Sequence, residues 1–317
     1  MVAARAGLSY KGLAALRGEV TKPQNAANGQ QTRLKYRKGD LRRVSAVKDT
    51  NAFSCYYLMS TLKILALGDV VGPEAVKYIS EKLWGFRKKN GIDMVVCNAE
   101  NACVGNGLDP QSSDRLLSGG CDILTGGNHI FRKKEIRQYL ENSRSLLRPA
   151  NYPIGTPGSG YTFIDINGYK VMVINLLGTI YMESLACPFS TIDRILEREK
   201  GRYDISILDF HAEATSEKIA LGRYLDGRVS IIFGTHTHVA TADESILPRG
   251  SGYVTDLGMS GPPDGVLGIR ADIIIEKLRT KLPVKFEFAE GTTVVNGVIF
   301  EIDPSSGRCV SASRIRF

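Results

Sequence analysis

Leu62-Lys63-Ile64-Leu65-Ala66-Leu67-Gly68-Asp69-Val70-Val71-Gly72 opens the part of the chain in which a regular pattern begins. Leu62–Leu67 reads as a short strand, and Gly68-Asp69 closes it with a turn. The same punctuation repeats downstream as helix Glu74–Lys89, strand Asp93–Ala99, helix Gln111–Leu117 and strand Asp122–Thr125. Short strands alternating with helices define an α/β domain. Asp109-Pro110 supports the second helix, the aspartate as N-cap and the proline with its φ already set for a first turn. Asn167-Gly168 supplies the positive φ angles of a tight hairpin between Tyr161–Ile166 and Lys170–Leu176, so antiparallel strands join the sheet. Strand Ile205–Phe210, helix Thr215–Leu225, strand Val229–Phe233 and the β-rich runs Lys285–Ala289 and Val295–Ile302 follow, without an internal repeat.

The 317 residues are 43% hydrophobic and 23% charged, an ordinary composition for a globular protein. No apolar run approaches the roughly 20 residues of a membrane helix, and the expected location is the cytoplasm. Six cysteines form no CxxC pair, and Cys97 and Cys121 sit in apolar runs, which points to reduced thiols acting as small hydrophobes. The net charge of +8 suggests nucleic acid until it is divided. Residues 1–58 hold 11 of the 41 Lys and Arg and 3 of the 33 Asp and Glu, leaving 30 of each sign in the remainder. Residues 1–58 therefore read as a basic, disordered arm and residues 59–317 as one catalytic domain. Met59 immediately precedes the first strand, so a start-site artefact is the first account of the arm, ahead of a tail and of an organelle-targeting segment.

Each of the four histidines sits at the end of an expected strand: Gly127-Asn128-His129, Asp209-Phe210-His211 and Gly234-Thr235-His236-Thr237-His238. Ligands of open α/β sheets bind in the crevice at the carboxyl ends of the strands, where residues distant in sequence converge. In an extended segment His236 and His238 would point the same way, towards one metal cluster. Asp69 and Glu100-Asn101 end two other strands, and hard oxygen ligands mixed with imidazoles suit manganese, iron or zinc. Taken singly, Asp69 could be a helix N-cap and Asn101 and Asn128 positive-φ turn residues. Four histidines at strand ends outweigh those readings.

The ordered set Gly68-Asp69, Asn98-Ala99-Glu100-Asn101, Gly127-Asn128-His129, Asp209-Phe210-His211 and Gly234–His238 resembles the calcineurin-like metallophosphoesterases. Within them it is most similar to the YmdB-type bacterial phosphodiesterases, because Arg148-Pro149-Ala150-Asn151, His211–Lys218 and Asp256–Gly268 also match, and the likeness runs from about Leu62 to the C-terminus. Two departures from the wider superfamily stand out. Val71 replaces the usual histidine two residues after the aspartate, a change the YmdB-type group shares, and Ile130 replaces the acid that in many relatives orients the catalytic histidine. The resemblance implies a four-layer α-β-β-α sandwich of two mixed sheets flanked by helices. It implies two divalent or trivalent ions, iron and/or manganese before zinc. One ion falls to Asp69, Glu100, Asn101 and His238, the other to Glu100, Asn128, His211 and His236, with Glu100 bridging. It also points to cyclic nucleotides, 2′,3′-cyclic AMP among them, as substrates.

With three histidines assigned as ligands, His129 is the imidazole left to protonate a departing alkoxide, while a bridging hydroxide attacks phosphorus. Two divalent ions facing Asp69 and Glu100 leave a positive centre in a neutral domain, so the ions and not a basic surface attract the phosphate. Pocket-forming candidates Asn151, Tyr161 and Thr179 show no base-reading pattern. Three other readings compete: a single-zinc hydrolase of another fold, an RNA-binding protein acting through residues 1–58, and a regulatory protein retaining a metal centre. The arm-based reading leaves the histidines unexplained. No membrane partner is expected, and a homo-oligomer is left open.

Overall fold

The structure, a computed structural model, describes residues 61–317, so the expectations for the basic arm lie outside the described residues. Two six-stranded sheets carry the fold. The first has the order β14 (Arg308–Arg316), β13 (Asn296–Asp303), β1 (Leu62–Leu67), β3 (Met94–Asn98), β4 (Ile123–Thr125) and β5 (Leu146–Leu147). The second runs β10 (Ser245–Ile246), β11 (Gly252–Val254), β9 (Ile231–Thr235), β8 (Ile205–His211), β7 (Tyr169–Leu177) and β6 (Tyr161–Ile166). Each holds four parallel strands, β1-β3-β4-β5 and β11-β9-β8-β7; antiparallel pairing adds β13 and β14 at one edge of the first sheet and β10 and β6 at the two edges of the second. A short parallel pair, β2 (Asp69–Val70) with β12 (Met259–Ser260), lies between β1 and the later loops in sequence.

The layers follow from which side chains each face buries. Leu62, Ile64 and Ala66 of β1 and Met94 and Val96 of β3 pack against Val171, Val173, Ile205, Ile207 and Phe233 of the second sheet. The opposite side chains of the first sheet, Leu65, Leu67, Val95 and Cys97, meet Val76, Ile79 and Leu83 of α1 (Pro73–Asn90), Leu116 of α2 (Pro110–Ser118) and Leu140 of α3 (Ile136–Asn142). Met172, Ile174, Leu208 and Phe210 meet Ile192 and Leu196 of α4 (Pro188–Arg198) and Leu221 and Leu225 of α5 (Thr215–Leu225). Strands buried on both faces are apolar throughout, because neither face meets water. The result is the expected α-β-β-α sandwich. Full burial of one such Leu or Ile contributes about 1.5–3 kcal/mol, so the three clusters carry most of the stabilisation.

Local signals act as read. Asp109 accepts a hydrogen bond from Ser112 N at 2.7 Å as the N-cap of α2, and Asn167 and Gly168 take φ 52° and 90° in the β6–β7 hairpin. Lys285–Ala289 is not a strand; only an isolated bridge joins Phe288 to Ile269. Its alternation is real, but Phe286 and Phe288 turn to a cavity instead of a neighbouring sheet. Residues 263–290, with α6 (Ala271–Thr280), leave Gly268 as their one buried residue. The five described cysteines are unpaired, and no described helix is long and apolar enough to cross a membrane.

Candidate metal centre

The carboxyl ends of β1, β3, β4, β8 and β9 bring all eight expected site residues together. Glu100 stands at the middle, fully buried. Its Oε2 accepts from His129 N at 3.0 Å, and Oε1 lies 3.0 Å from His211 Nε2 and 3.1 Å from Asn101 Nδ2. Burial opposes its charge, yet His211 and His129 beside it hold the carboxyl well below the usual range. Gly127 can only be glycine here, since a Cβ would collide with Glu100 Oε2 and His211 Nε2. Asp69 is equally buried, and burial pushes its pKa up. Its Oδ2 accepts from His236 N at 3.1 Å, while Oδ1 has no hydrogen-bond partner. An orphaned carboxylate oxygen in a dry interior is costly unless a cation faces it.

The hydrogen bonds fix the imidazole tautomers. Thr235 Oγ1 donates to Asp209 Oδ1 at 2.7 Å, so at 2.9 Å it accepts from His211 Nδ1–H. The Nε2 of His211 then faces Glu100 Oε1, Asn128 Oδ1 at 3.1 Å and His236 Nδ1 at 3.1 Å. That surface is made of acceptors and calls for positive charge. Burial pulls the His211 pKa down, but Glu100, Asp69 and Asp209 outweigh it and raise it to about 9. His236 Nε2 lies 3.0 Å from Glu213 Oε2 at the rim, while Nδ1 is turned inward, 3.1 Å from His211 Nε2. Its pKa is lowered to about 3 by burial and by His211. His238 turns Nδ1 to the carbonyl of Leu267 at 3.3 Å, and its Nε2 lies 3.7 Å from Asp69 Oδ1. Each of the three rings thus ties one nitrogen to an outer oxygen and points the other at the carboxylates, the arrangement that orients metal-binding histidines.

Glu100, His211 and His236 form a cluster able to hold an ion. Asp69 Oδ1 lies 3.7 Å from His238 Nε2 and 3.8 Å from His211 Nδ1, and Asn101 Nδ2 reaches Glu100 Oε1 at 3.1 Å and His238 Nε2 at 3.3 Å. His129 donates from Nδ1 to Asn101 Oδ1 at 2.9 Å and lines the cavity. Asn101 is therefore what orients His129 where Ile130, fully buried in the core, cannot.

Several expectations are corrected. His236 and His238 are not in an extended segment: β9 ends at Thr235, and both take positive φ, 98° and 66°. Their rings consequently meet different partners: His236 Nδ1 lies 3.1 Å from His211 Nε2, and His238 Nε2 lies 3.7 Å from Asp69 Oδ1. The alternatives set aside in the sequence do not apply: the N-cap of α1 is Gly72, not Asp69, and neither Asn101 nor Asn128 has positive φ. Asn151, Tyr161 and Thr179 are structural: they bond to Leu177 and Ala186, to Glu199, and to Glu217. A cavity of about 400 Å³ opens above the histidines, walled by Val71, Leu267, Ile269, Ile274, Phe286 and Phe288. Glu213, two residues after His211, also lines it and had no assigned role.

Residues 65–315 match the family model described as YmdB-like protein. The chain belongs to the YmdB-like family. It is 44% identical over 254 residues to the 2′,3′-cyclic-nucleotide 2′-phosphodiesterase of Bacillus subtilis (strain 168), covering 80% of this chain and 96% of that one. The crystal structure of a novel phosphatase from Mycoplasma pneumoniae superposes with a TM-score of 0.77 at 34% identity, over 82% of this chain and 94% of the other. A protein of Thermus thermophilus gives 0.76 at 37% identity, over 81% and 99%. For a YmdB-like chain the family resemblance and the layered fold agree.

Proposed function

We propose that the protein is a two-metal phosphodiesterase that hydrolyses cyclic nucleotides such as 2′,3′-cyclic AMP, with His129 as general acid. The observation that carries the proposal is the inward turn of three imidazole nitrogens towards Glu100 and the unpartnered Asp69 Oδ1. Asp69, Asn101 and His238 would hold one ion, Asn128, His211 and His236 the other, and Glu100 both. Iron or manganese fits this mixture of carboxylate, amide and imidazole better than it fits a thiolate site. When bound, such ions lower the pKa of water and place positive charge against phosphate oxygens.

The protein's own groups do the rest. Asn101 holds Nδ1 of His129, so the opposite nitrogen is the one free to give a proton to the departing oxygen. Asp209, through Thr235, keeps His211 in the tautomer that faces inward, and the Glu213 carboxylate stands 3.0 Å from the outer nitrogen of His236. The apolar wall of Leu267, Phe286 and Phe288 offers a surface for the uncharged part of a substrate. The relative named a 2′,3′-cyclic-nucleotide 2′-phosphodiesterase supports the substrate class. The compact Glu100–His211–His236 group would by itself serve a single ion; the orphaned Asp69 oxygen and His238 argue for a second.

The test is hydrolysis of bis(p-nitrophenyl) phosphate and 2′,3′-cyclic AMP by the Mn²⁺-loaded chain, alongside metal analysis. Turnover with about two ions per chain is expected. Two bound ions without turnover would refute the enzyme and leave a regulatory metal protein.

A further inference from the structure

We propose that the buried Lys218–Asp256 ion pair is a clamp that positions the Asp69–His238 half of the centre, an inference that rests on the two-ion reading above. Lys218 Nζ lies 2.6 Å from Asp256 Oδ2, and both side chains are almost wholly buried. Neither residue lines the cavity, so they are positioning residues and not catalytic ones.

The Asp256 carboxylate reaches both segments that carry this half. Oδ2 also accepts from Thr237 Oγ1 at 2.7 Å and from Thr237 N at 3.3 Å, between the two metal-facing histidines. Oδ1 accepts from Gly258 N at 2.8 Å, and Gly258 O in turn accepts from Asp69 N at 3.1 Å. One carboxylate thus fixes the turn bearing Asp69 and the loop bearing His238 relative to each other.

Only a group with two acceptor oxygens can take these four bonds, which an asparagine's single oxygen cannot. The positive charge of Lys218 offsets the burial of that carboxylate. The lysine is anchored in α5 and passes over Gly234, where a Cβ would stand 2.9 Å from its Cδ. The loop needs such a hold, because φ of 98° and 66° at two histidines is a conformation that residues other than glycine rarely adopt. The Glu100–His211 half has separate supports in Asp209, Thr235 and Asn98.

Mn²⁺ titration of the full chain, with Asp256→Asn, Thr237→Val and the double variant Lys218→Met/Asp256→Asn, tests the clamp. The first ion, for which only His236 adjoins Thr237, should lose less affinity in each variant, and the second should bind roughly 10–100-fold more weakly, the usual effect of losing an outer partner of a ligand. Excess Mn²⁺ should restore kcat with KM unchanged. In the metal-free protein, the amides of residues 236–239 should exchange hydrogen faster in Asp256→Asn. The double variant removes both buried charges, so its Tm should return towards normal while the second ion still binds weakly. Normal affinity for both ions in Asp256→Asn and Thr237→Val, or Tm and affinity recovering together in the double variant, would overturn the clamp. If the intact protein binds a single ion, the two-ion reading fails instead, and unchanged exchange at 236–239 then overturns the clamp independently.

Discussion

The floor and the wall of the cavity are built on opposite principles. On the floor Glu100, His211 and Asp69 are fully buried at strand ends, and each is held by a hydrogen bond, from His129 N, to Thr235 Oγ1 and from His236 N respectively. The wall comes from residues 263–290, of which only Gly268 is buried, and Phe286 and Leu267 stand nearly half exposed. Catalysis of phosphate transfer is chiefly positioning and charge, so an over-determined floor is what the proposed reaction requires. On the same proposal the wall would meet the rest of the substrate and can be loosely held. Floor variants should therefore lose metal or kcat, and wall variants should change KM.

The largest effect belongs to the floor. His211→Ala removes the one imidazole facing Glu100, Asn128 and His236 together. It should abolish binding of an ion in that half and lower turnover by more than about 10⁴-fold, since the ion is what brings the pKa of water from 15.7 towards roughly 7–9. Retained metal and activity would dissolve the contrast between floor and wall. His129→Ala comes next: kcat should fall by about 10²–10⁴-fold, the usual worth of a general acid, with metal content intact. Loss of metal in that variant would make His129 a ligand. Thr235→Val cuts the chain from Asp209 to His211 without touching a ligand and should weaken Mn²⁺ binding by roughly 10–100-fold. An unchanged affinity would show that strand packing alone orients His211.

The floor was legible in the sequence because its residues obey a rule of topology. Parallel strands deliver whatever follows them to one edge, so Asp69, Glu100, His129, His211 and His236 could be gathered without knowing a single distance. The route was less legible than the destination. His236 and His238 meet the centre through positive φ angles in a loop whose Thr237 bonds to Asp256, which lies 19 residues later and is joined to it only by folding. Glu213 reads as a surface acid until His236 is placed against it. The wall misled outright: Lys285–Ala289 alternates like a strand, but a ladder needs a free neighbouring edge, and that information belongs to the tertiary structure.

The smallest predicted effect tests the wall itself. The ring of Phe288 lies against Gly72, where a Cβ would stand 3.3 Å from it, while Lys277 covers a face of Phe286 at 4.4 Å. Phe288 is therefore the better fixed of the two aromatic surfaces lining the cavity. Stacking of a base on such a ring is worth about 1–3 kcal/mol, the lower end suiting a ring that stays partly wet. Phe288→Ala should raise KM for 2′,3′-cyclic AMP by about 5–10-fold and leave kcat and Mn²⁺ affinity as they are. A small substrate such as methyl p-nitrophenyl phosphate reaches less of the wall and should register less of the loss. A fall in kcat with KM unchanged would mean that the wall shapes the transition state, and that floor and wall are not separate parts.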